Sequence, residues 1–432
     1  VKTTATPQRF DVCVGKSDTL VGQLAYAKQG QREFSTFIYD TQWLANRARF
    51  EVSPDLPLVA GFQVRRAAAK VDSNFHFAFA DTAPDAWGRR VIARAHAKER
   101  QQDPKLAALT ELDYLAAVDD FSRVGALRLR DSRGINVRTV DEGKRTTPTL
   151  IELELVYNAS RAVEHAIETA EDLKYLLGKG TSLGGMRPKC SVIDERGRLA
   201  IGKFPSKNDE RSVTRGEVLA LRLAALAGID TAKARIVNQN GTPFALIERF
   251  DRAGDFARIP YLSAASMLQA SREEDHSYSE IADVIRARCV APTADTRQLW
   301  RRMVFNLLIT NVDDHLQNLG FLYVGNGQWR LAPAFDLNPF PEKDRESKTW
   351  LSTTTGPIDS LQMLLENANY FGLGAPGAAQ EVLAEIVSAV SNWQAIAVTP
   401  DIGMSRQDLN DFAPAFEHES MQHARDALRT LL

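Results

Sequence analysis

The chain has 432 residues, too many for one ordinary core, and its 44% hydrophobic and 25% charged residues fit a soluble globular protein of two or three domains. Its 53 basic and 55 acidic residues leave a net charge of −2, which excludes nucleic-acid binding by bulk charge alone. No window approaches about 18 uninterrupted apolar residues, and the opening VKTTATPQRFDV lacks the apolar core of a signal peptide. Cys13, Cys190 and Cys289 are odd in number and widely spaced, which argues against a disulfide framework or a zinc site and predicts a cytoplasmic protein. Arg65–Arg66, Arg89–Arg90 and Arg301–Arg302 read as solvated helix faces or rim charges.

In chain order, the first 60 residues read as strands, because RFDVCVG and LVGQLAYAKQGQREFSTFIYD carry β-branched and aromatic residues between Gly and polar turns. From residue 81, PDAWGRRVIARAHAKERQQ and ELDYLAAV place apolar residues at helical spacing, and VGALRLRDSRG reads as a short strand ended by a Gly turn. Residues 131–150 are polar and turn-rich, a candidate linker. One amphipathic helix is expected over 159–177, ASRAVEHAIETAEDLKYLL, running into GKGTSLGGMRPK. Next come a hairpin (CSVIDERGRLAIGKFPS), a helix (RGEVLALRLAALAGID) and a hairpin turning at NQNG (ARIVNQNGTPFALIERFDR). From about residue 260 the pattern is helical, interrupted by a hairpin around GNG at 319–332, and APGAAQEVLAEIVSAV has the apolar face of a packing helix. The expected fold class is α/β (α+β) and kinase-like. A β-rich N-terminal module (1–130) and a linker (131–150) precede a small mixed lobe (151–258) and a large helical lobe (259–432), with ATP held between the lobes.

Four stretches carry candidate chemistry. In GTSLGGMRPK, Gly184 and Gly185 free backbone N–H groups to cradle phosphates, although the loop matches neither GxxxxGKS/T nor GxGxxG and a plain flexible turn fits equally. Lys203, on the returning strand of the next hairpin, can meet phosphates as a point charge. Lys189 falls within the loop, and Glu217 either pairs with Lys203 or is a solvated first-turn glutamate. In NVDDHLQN, Asp313 and Asn318 are five residues apart, the offset between the base and the metal-binding asparagine of a kinase loop, and Asp336 follows 18 residues after Asn318. One carboxylate, one amide oxygen and nucleotide phosphates suffice for Mg2+. The bland alternative is a helix end and a turn whose Asn and Asp serve local hydrogen bonds. No second His or Cys accompanies His315, so it reads as an inward loop histidine near the phosphates.

With these residues assembled, the chain resembles the HipA-like serine/threonine kinases, the toxin halves of bacterial toxin–antitoxin pairs. DTAPDAWGRR and DYLAAVDDFSRVGALRLR are similar to that family's N-terminal part. TSLGGMRPK, IGKFPS, IERFDR, NVDDHLQN and LAPAFDLNPF are similar, in order, to its nucleotide site. The resemblance implies an ATP- and Mg2+-dependent kinase with Asp313 as catalytic base and Asn318 and Asp336 as metal ligands. Gly184, Gly185, Met186, Arg187, Lys189 and Lys203 would lie on the phosphates, with His315 and Gln317 near them. Glu248, Arg249 and Phe250 would line the adenine side, with Phe335 packed before the metal aspartate. Ser182 stands where the family carries an autophosphorylated serine, whose added charge would eject the loop. The resemblance also implies a HipB-like helix-turn-helix antitoxin as partner, DNA contact only through that antitoxin, no membrane, and a protein substrate such as an aminoacyl-tRNA synthetase.

One position departs. The family pattern D-x-H-x-K-N has Gln317 in place of its lysine, which removes a charge that would stabilise the transferring phosphate; Lys189 or Arg187 are the candidate substitutes. The residues therefore leave two further readings: a weak nucleotide-binding corepressor, and a small-molecule phosphotransferase on the same architecture.

Overall fold

In the N-terminal strands, apolar residues alternate as a half-buried sheet demands. In the computed structural model, which describes residues 7–30, 32–67, 72–138, 147–179, 186–271, 273–342 and 346–429, β1 (Gln8–Val14), β2 (Thr19–Gln29) and β3 (Arg32–Tyr39) run antiparallel. With β4 (Gln63–Arg65) and β5 (Leu127–Arg130) they form a sheet in the order β4-β3-β2-β1-β5. Phe37 and Tyr39 on β3 and Val12 on β1 point into its core. The strand expectation for the first 60 residues fails after Tyr39. There Asp40 accepts the Gln42 N–H at 2.8 Å and starts α1 (Thr41–Ala45), and 46–62 is irregular. The expected helices follow as α2 (Phe77–Ala80), α3 (Ala86–Gln102), capped by Asp85, and α4 (Glu111–Ala116), closed by a Thr110–Asp113 capping box. Of the expected linker, 131–138 folds back on β5, where Val137 N–H donates to Leu129 O at 2.8 Å; 139–146 lies outside the described residues.

The helix expected over 159–177 is two helices, α5 (Leu153–His165) and α6 (Ala170–Lys179). Ala166 ends α5 in the left-handed region at φ 58°. Asp172 then accepts the Thr169 N–H at 2.8 Å while Thr169 Oγ1 accepts the Asp172 N–H at 3.1 Å, which starts the next helix. The apolar rhythm of VEHAIETAEDL continues across this break, so periodicity does not reveal it.

The second sheet comprises β6 (Lys189–Ile193), β7 (Leu199–Lys203), β8 (Ala234–Gln239) and β9 (Thr242–Glu248), antiparallel in the order β6-β7-β9-β8. Asn240 and Gly241, at φ 47° and 81°, form the two-residue turn that this twist favours. Both faces are covered, and β9 shows how. Phe244 and Leu246 pack with Trp87 and Val91 of α3, Val156 of α5 and Leu176 of α6. Ala245 and Ile247 face the other way, in one cluster with Val218 and Leu221 of α7 (Val213–Leu226).

A two-residue ladder, β10 (Arg252–Ala253) with β11 (Ala257–Arg258), leads to β12 (Tyr261–Ser263), which joins β13 (Gly320–Gly325) and β14 (Gln328–Leu331) in a third sheet. The GNG turn is as expected, with Asn326 and Gly327 at φ 54° and 74°. Around it pack α8 (Ala264–Leu268), α9 (Tyr278–Arg288), α10 (Pro292–Leu308), α11 (Leu361–Glu366), α12 (Ala378–Ser391), α13 (Trp393–Ala397), α14 (Arg406–Phe416) and α15 (Glu419–Arg429). A small hairpin, β15 (Trp350–Ser352) and β16 (Gly356–Pro357), carries no clear sequence signal. Among the described residues, no helix is long and apolar enough to cross a membrane.

Buried charge fastens the N-terminal module to the rest. Asp251 pairs with Arg249, Nε to Oδ1 at 2.6 Å, and with Arg252 at 2.8 Å, and accepts the Gly125 N–H at 2.7 Å. Arg249 also donates to Ser122 O at 3.0 Å and Arg252 to Arg123 O at 2.7 Å. Burial alone would raise the Asp251 carboxyl, but the two guanidinium groups hold it well below the usual carboxylate range. A folded-state pKa depressed in this way stabilises the fold above the unfolded value, near 3.9, and that contribution fades as pH falls through and below it. Asp251→Asn leaves two buried cations without a counter-charge and should cost about 3–5 kcal/mol in urea unfolding at pH 7, a gap that narrows below about pH 4.

Candidate active site

Lys203 ends β7 and points between two carboxylates: its Nζ lies 2.6 Å from Glu217 Oε1 on α7 and 2.7 Å from Asp336 Oδ1 in the loop after β14. The Glu217 side chain is only 3% exposed, which settles its alternatives in favour of the lysine pair. Burial would lower the Lys203 pKa, but Asp336 and Glu217 outweigh it and keep the ammonium charged. The Asp336 carboxyl, raised by burial alone, is held far below its usual range by Lys203 and Lys189 and so stays ionised. Its backbone adopts φ 55°, which a non-glycine residue holds only when its surroundings impose it. Asn338 contributes, donating to Asp336 Oδ1 at 3.0 Å.

NVDDHLQN contains both kinds of residue that the sequence allowed. Asn311 and Asp314 are buried and structural. Asn311 N–H closes the end of α10 on Asn306 O at 2.8 Å, and its side-chain oxygen accepts the Asn338 N–H at 3.4 Å, which ties this loop to that of Asp336. Asp314 accepts Tyr278 OH at 2.8 Å and the Lys348 N–H at 2.7 Å. Asp313, by contrast, is 49% exposed, with Lys348 Nζ against its Oδ1 and His315 Nε2 at 3.8 Å. Asn318 Nδ2 donates to Asp313 O at 2.8 Å, which leaves Asn318 Oδ1 as the atom available to a cation. Gln317 is exposed.

The remaining predicted residues divide. Phe335 stacks at a tilt on Phe250, ring centres 5.5 Å apart, beside Asp336. Lys189 is not a loop residue: it opens β6 directly across from Lys203, buried, with Nζ 3.7 Å from Asp85 Oδ2 of the N-terminal module. Arg187 is turned to Asp209 and Met186 is 83% exposed. Glu248 pairs with Arg198 at 2.7 Å, and the Arg249 guanidinium is occupied by Asp251 and Ser122, so only Phe250 of that trio lies beside Phe335. Ser182, Gly184 and Gly185 lie outside the described residues. Reading the sequence did not single out Asp85, Asn311, Asp314, Asn338 and Lys348; all but Lys348 sit in quoted motifs, Asn311 and Asp314 in NVDDHLQN itself, and Lys348 had no local signal.

In this cluster two ammonium groups, Lys189 and Lys203, face three carboxylates, Asp85, Glu217 and Asp336. Burial raises Glu217, and it pushes Asp85 up to about 6. The surplus is negative, and among the described residues no group of three or more His, Cys, Asp or Glu side chains could cage a metal. One carboxylate and one amide oxygen instead suit a hard cation that shares its shell with phosphates, as Mg2+ does.

Two family models match the chain: the HipA N-terminal domain over residues 11–129 and the HipA-like C-terminal domain over 181–394. This chain belongs to the HipA-like family. Its fold agrees: HipA of Shewanella oneidensis MR-1, solved with HipB and its operator DNA, superposes with a TM-score of 0.69 at 16% identity, covering 98% of this chain and 99% of that one. "Putative kinase Y4mE" of Sinorhizobium fredii is 26% identical over 345 residues, 74% of each chain. A "Putative kinase" of Haemophilus influenzae is 28% identical over 192 residues, 38% of this chain and 55% of that one. The kinase-like α/β fold expected from the sequence is thus the fold of this HipA-like chain.

Asp314 gives a stability prediction for this loop. Asp314→Ala strands the buried Tyr278 hydroxyl and the Lys348 N–H and should cost about 2–4 kcal/mol in denaturant unfolding, whereas Asp314→Asn, whose oxygen still accepts, should cost less than half of that.

Proposed function

We propose that this HipA-like chain is a protein serine/threonine kinase that uses ATP and Mg2+. One observation carries the reading. Lys203 is held charged between Glu217 and Asp336, while a half-exposed carboxylate, Asp313, stands on the neighbouring loop with Asn318 hydrogen-bonded to it. This is the division of labour that phosphoryl transfer needs: a fixed cation for phosphates, oxygen ligands for a metal, and an accessible base for the acceptor. Asp313 accepts the proton of a substrate hydroxyl and Lys203 orients the phosphates; Asn318 and Asp336 are the residues that would hold Mg2+, which would supply charge neutralisation on the phosphates. Phe250 and Phe335 offer the apolar wall beside this site. The relatives whose names describe kinases support the same reaction class.

The finer reading follows the family resemblance. Ser182 is the autophosphorylation site that switches the enzyme off, and the acceptor is a cytoplasmic protein of translation, such as an aminoacyl-tRNA synthetase. A HipB-like helix-turn-helix antitoxin is the partner and contacts DNA on its behalf; the Shewanella HipA solved with HipB and operator DNA supports this.

The test is intact-mass spectrometry of phosphatase-treated protein before and after incubation with ATP and Mg2+. The wild type should gain one phosphate, mapped to Ser182, and Asp313→Ala should slow that gain by at least about 10²-fold while still binding nucleotide. Nucleotide binding by the wild type with no phosphate gained on itself or on added protein would overturn the protein-kinase reading and favour a corepressor.

A further inference from the structure

We propose that Lys348 is a further catalytic residue of this site, its ammonium supplying to the transferring phosphate the charge that Gln317 lacks; this rests on the kinase reading above. Lys348 is distant in sequence from NVDDHLQN, yet its Nζ touches Asp313 Oδ1. The segment that carries it is firmly held. Lys348 N–H donates to Asp314 Oδ1 at 2.7 Å, Thr349 Oγ1 to Asp314 O at 2.6 Å, and Trp350 N–H to His276 O at 2.9 Å. Thr349 is 2% exposed, whereas the Lys348 side chain is 56% exposed. The backbone is therefore pinned to the residue next to the base, and only the flexible arm reaches into solvent.

A pair this exposed adds little to folding, so stability alone gives no reason for it. The other cations near the site are engaged elsewhere: Lys203 with Glu217 and Asp336, Lys189 with Asp85, Arg187 with Asp209, and Arg211 with Glu342 at 2.7 Å. Among the described residues, Lys348 is the lysine or arginine in contact with Asp313. In the transfer, the bond from phosphorus to the ADP oxygen breaks, the bond to the acceptor oxygen forms, and the hydroxyl proton passes to Asp313. Negative charge on the phosphoryl oxygens needs a cation on the acceptor side, and an ammonium on a long arm meets it without changing its own protonation. Lys348 thus does from a separate element what a lysine at position 317 would do from the same loop.

The experiment measures phosphate gain from ATP and Mg2+ under single-turnover conditions, with ATP affinity and thermal unfolding recorded in parallel. The proteins are wild type, Lys348→Met and the Lys348→Met/Gln317→Lys double variant. Lys348→Met should lower the rate about 10²-fold with ATP affinity changed by less than about threefold. The added lysine at 317 should then recover at least about tenfold of the rate. If wild type transfers phosphate and Lys348→Met keeps its rate within about threefold, the proposal falls and the kinase reading stands. A loss that Gln317→Lys leaves unrepaired, or that accompanies a lowered unfolding temperature, would make Lys348 a residue that holds the loop and overturn the proposal. No transfer by wild type would remove both.

Discussion

The arrangement of the site depends on one buried ammonium. Lys203 stands between Glu217 and Asp336 at hydrogen-bond distance from both, and the three come from a strand, the helix that follows it, and a loop 133 residues beyond Lys203. A single charge therefore fixes the spacing of three elements. Glu217 is almost fully buried and Asp336 partly so, and the ammonium between them offsets the cost of keeping both carboxylates charged there. Asp336 keeps its left-handed backbone because Lys203 and Asn338 both claim its Oδ1.

The loop after α10 shows how a chain can interrupt a core and resume it. Two of its polar residues face inward and hold the structure: Asn311 ties the end of α10 to the Asp336 loop, and Asp314 gathers Tyr278 and the strand-leading segment at 348–349. Their neighbours Asp313 and Gln317 face solvent. Local hydrogen bonding and chemistry are thus not rivals here. A half-exposed carboxylate can be positioned for reaction only if the residues beside it are satisfied and immobile.

The N-terminal module is built into this machinery. Arg249, Asp251 and Arg252, directly after β9, grip the loop before β5 through its backbone, and Asp85 at the start of α3 reaches Lys189 beside the Lys203 cluster. That explains why DTAPDAWGRR, DYLAAVDDFSRVGALRLR and IERFDR occur in one chain. Charged hydrogen bonds are directional, so they set the orientation of the module where apolar packing alone would leave it loosely specified.

The sequence alone determined what depends on neighbours along the chain. Asn240–Gly241 and Asn326–Gly327 announced their hairpins because each turn needs two positive φ values, and the β6–β7 and β8–β9 ladders and the helix at 378–391 followed from local pattern. The order of Lys203, Asp313, Asn318 and Asp336 was also legible, since spacing within a loop and order along a chain are properties of sequence. Where local signals conflicted, it failed: the Thr169–Asp172 box was hidden under a continuous apolar rhythm, and the strands stopped at Asp40. Only the tertiary structure decided which charge meets which. It moved Lys189 from a loop to a strand facing Asp85, gave Arg187 to Asp209 and Arg249 to Asp251, and brought Lys348 to Asp313. An ion pair forms between atoms within a few ångströms of each other, and that distance is set by how the sheets and helices stack, not by separation along the chain.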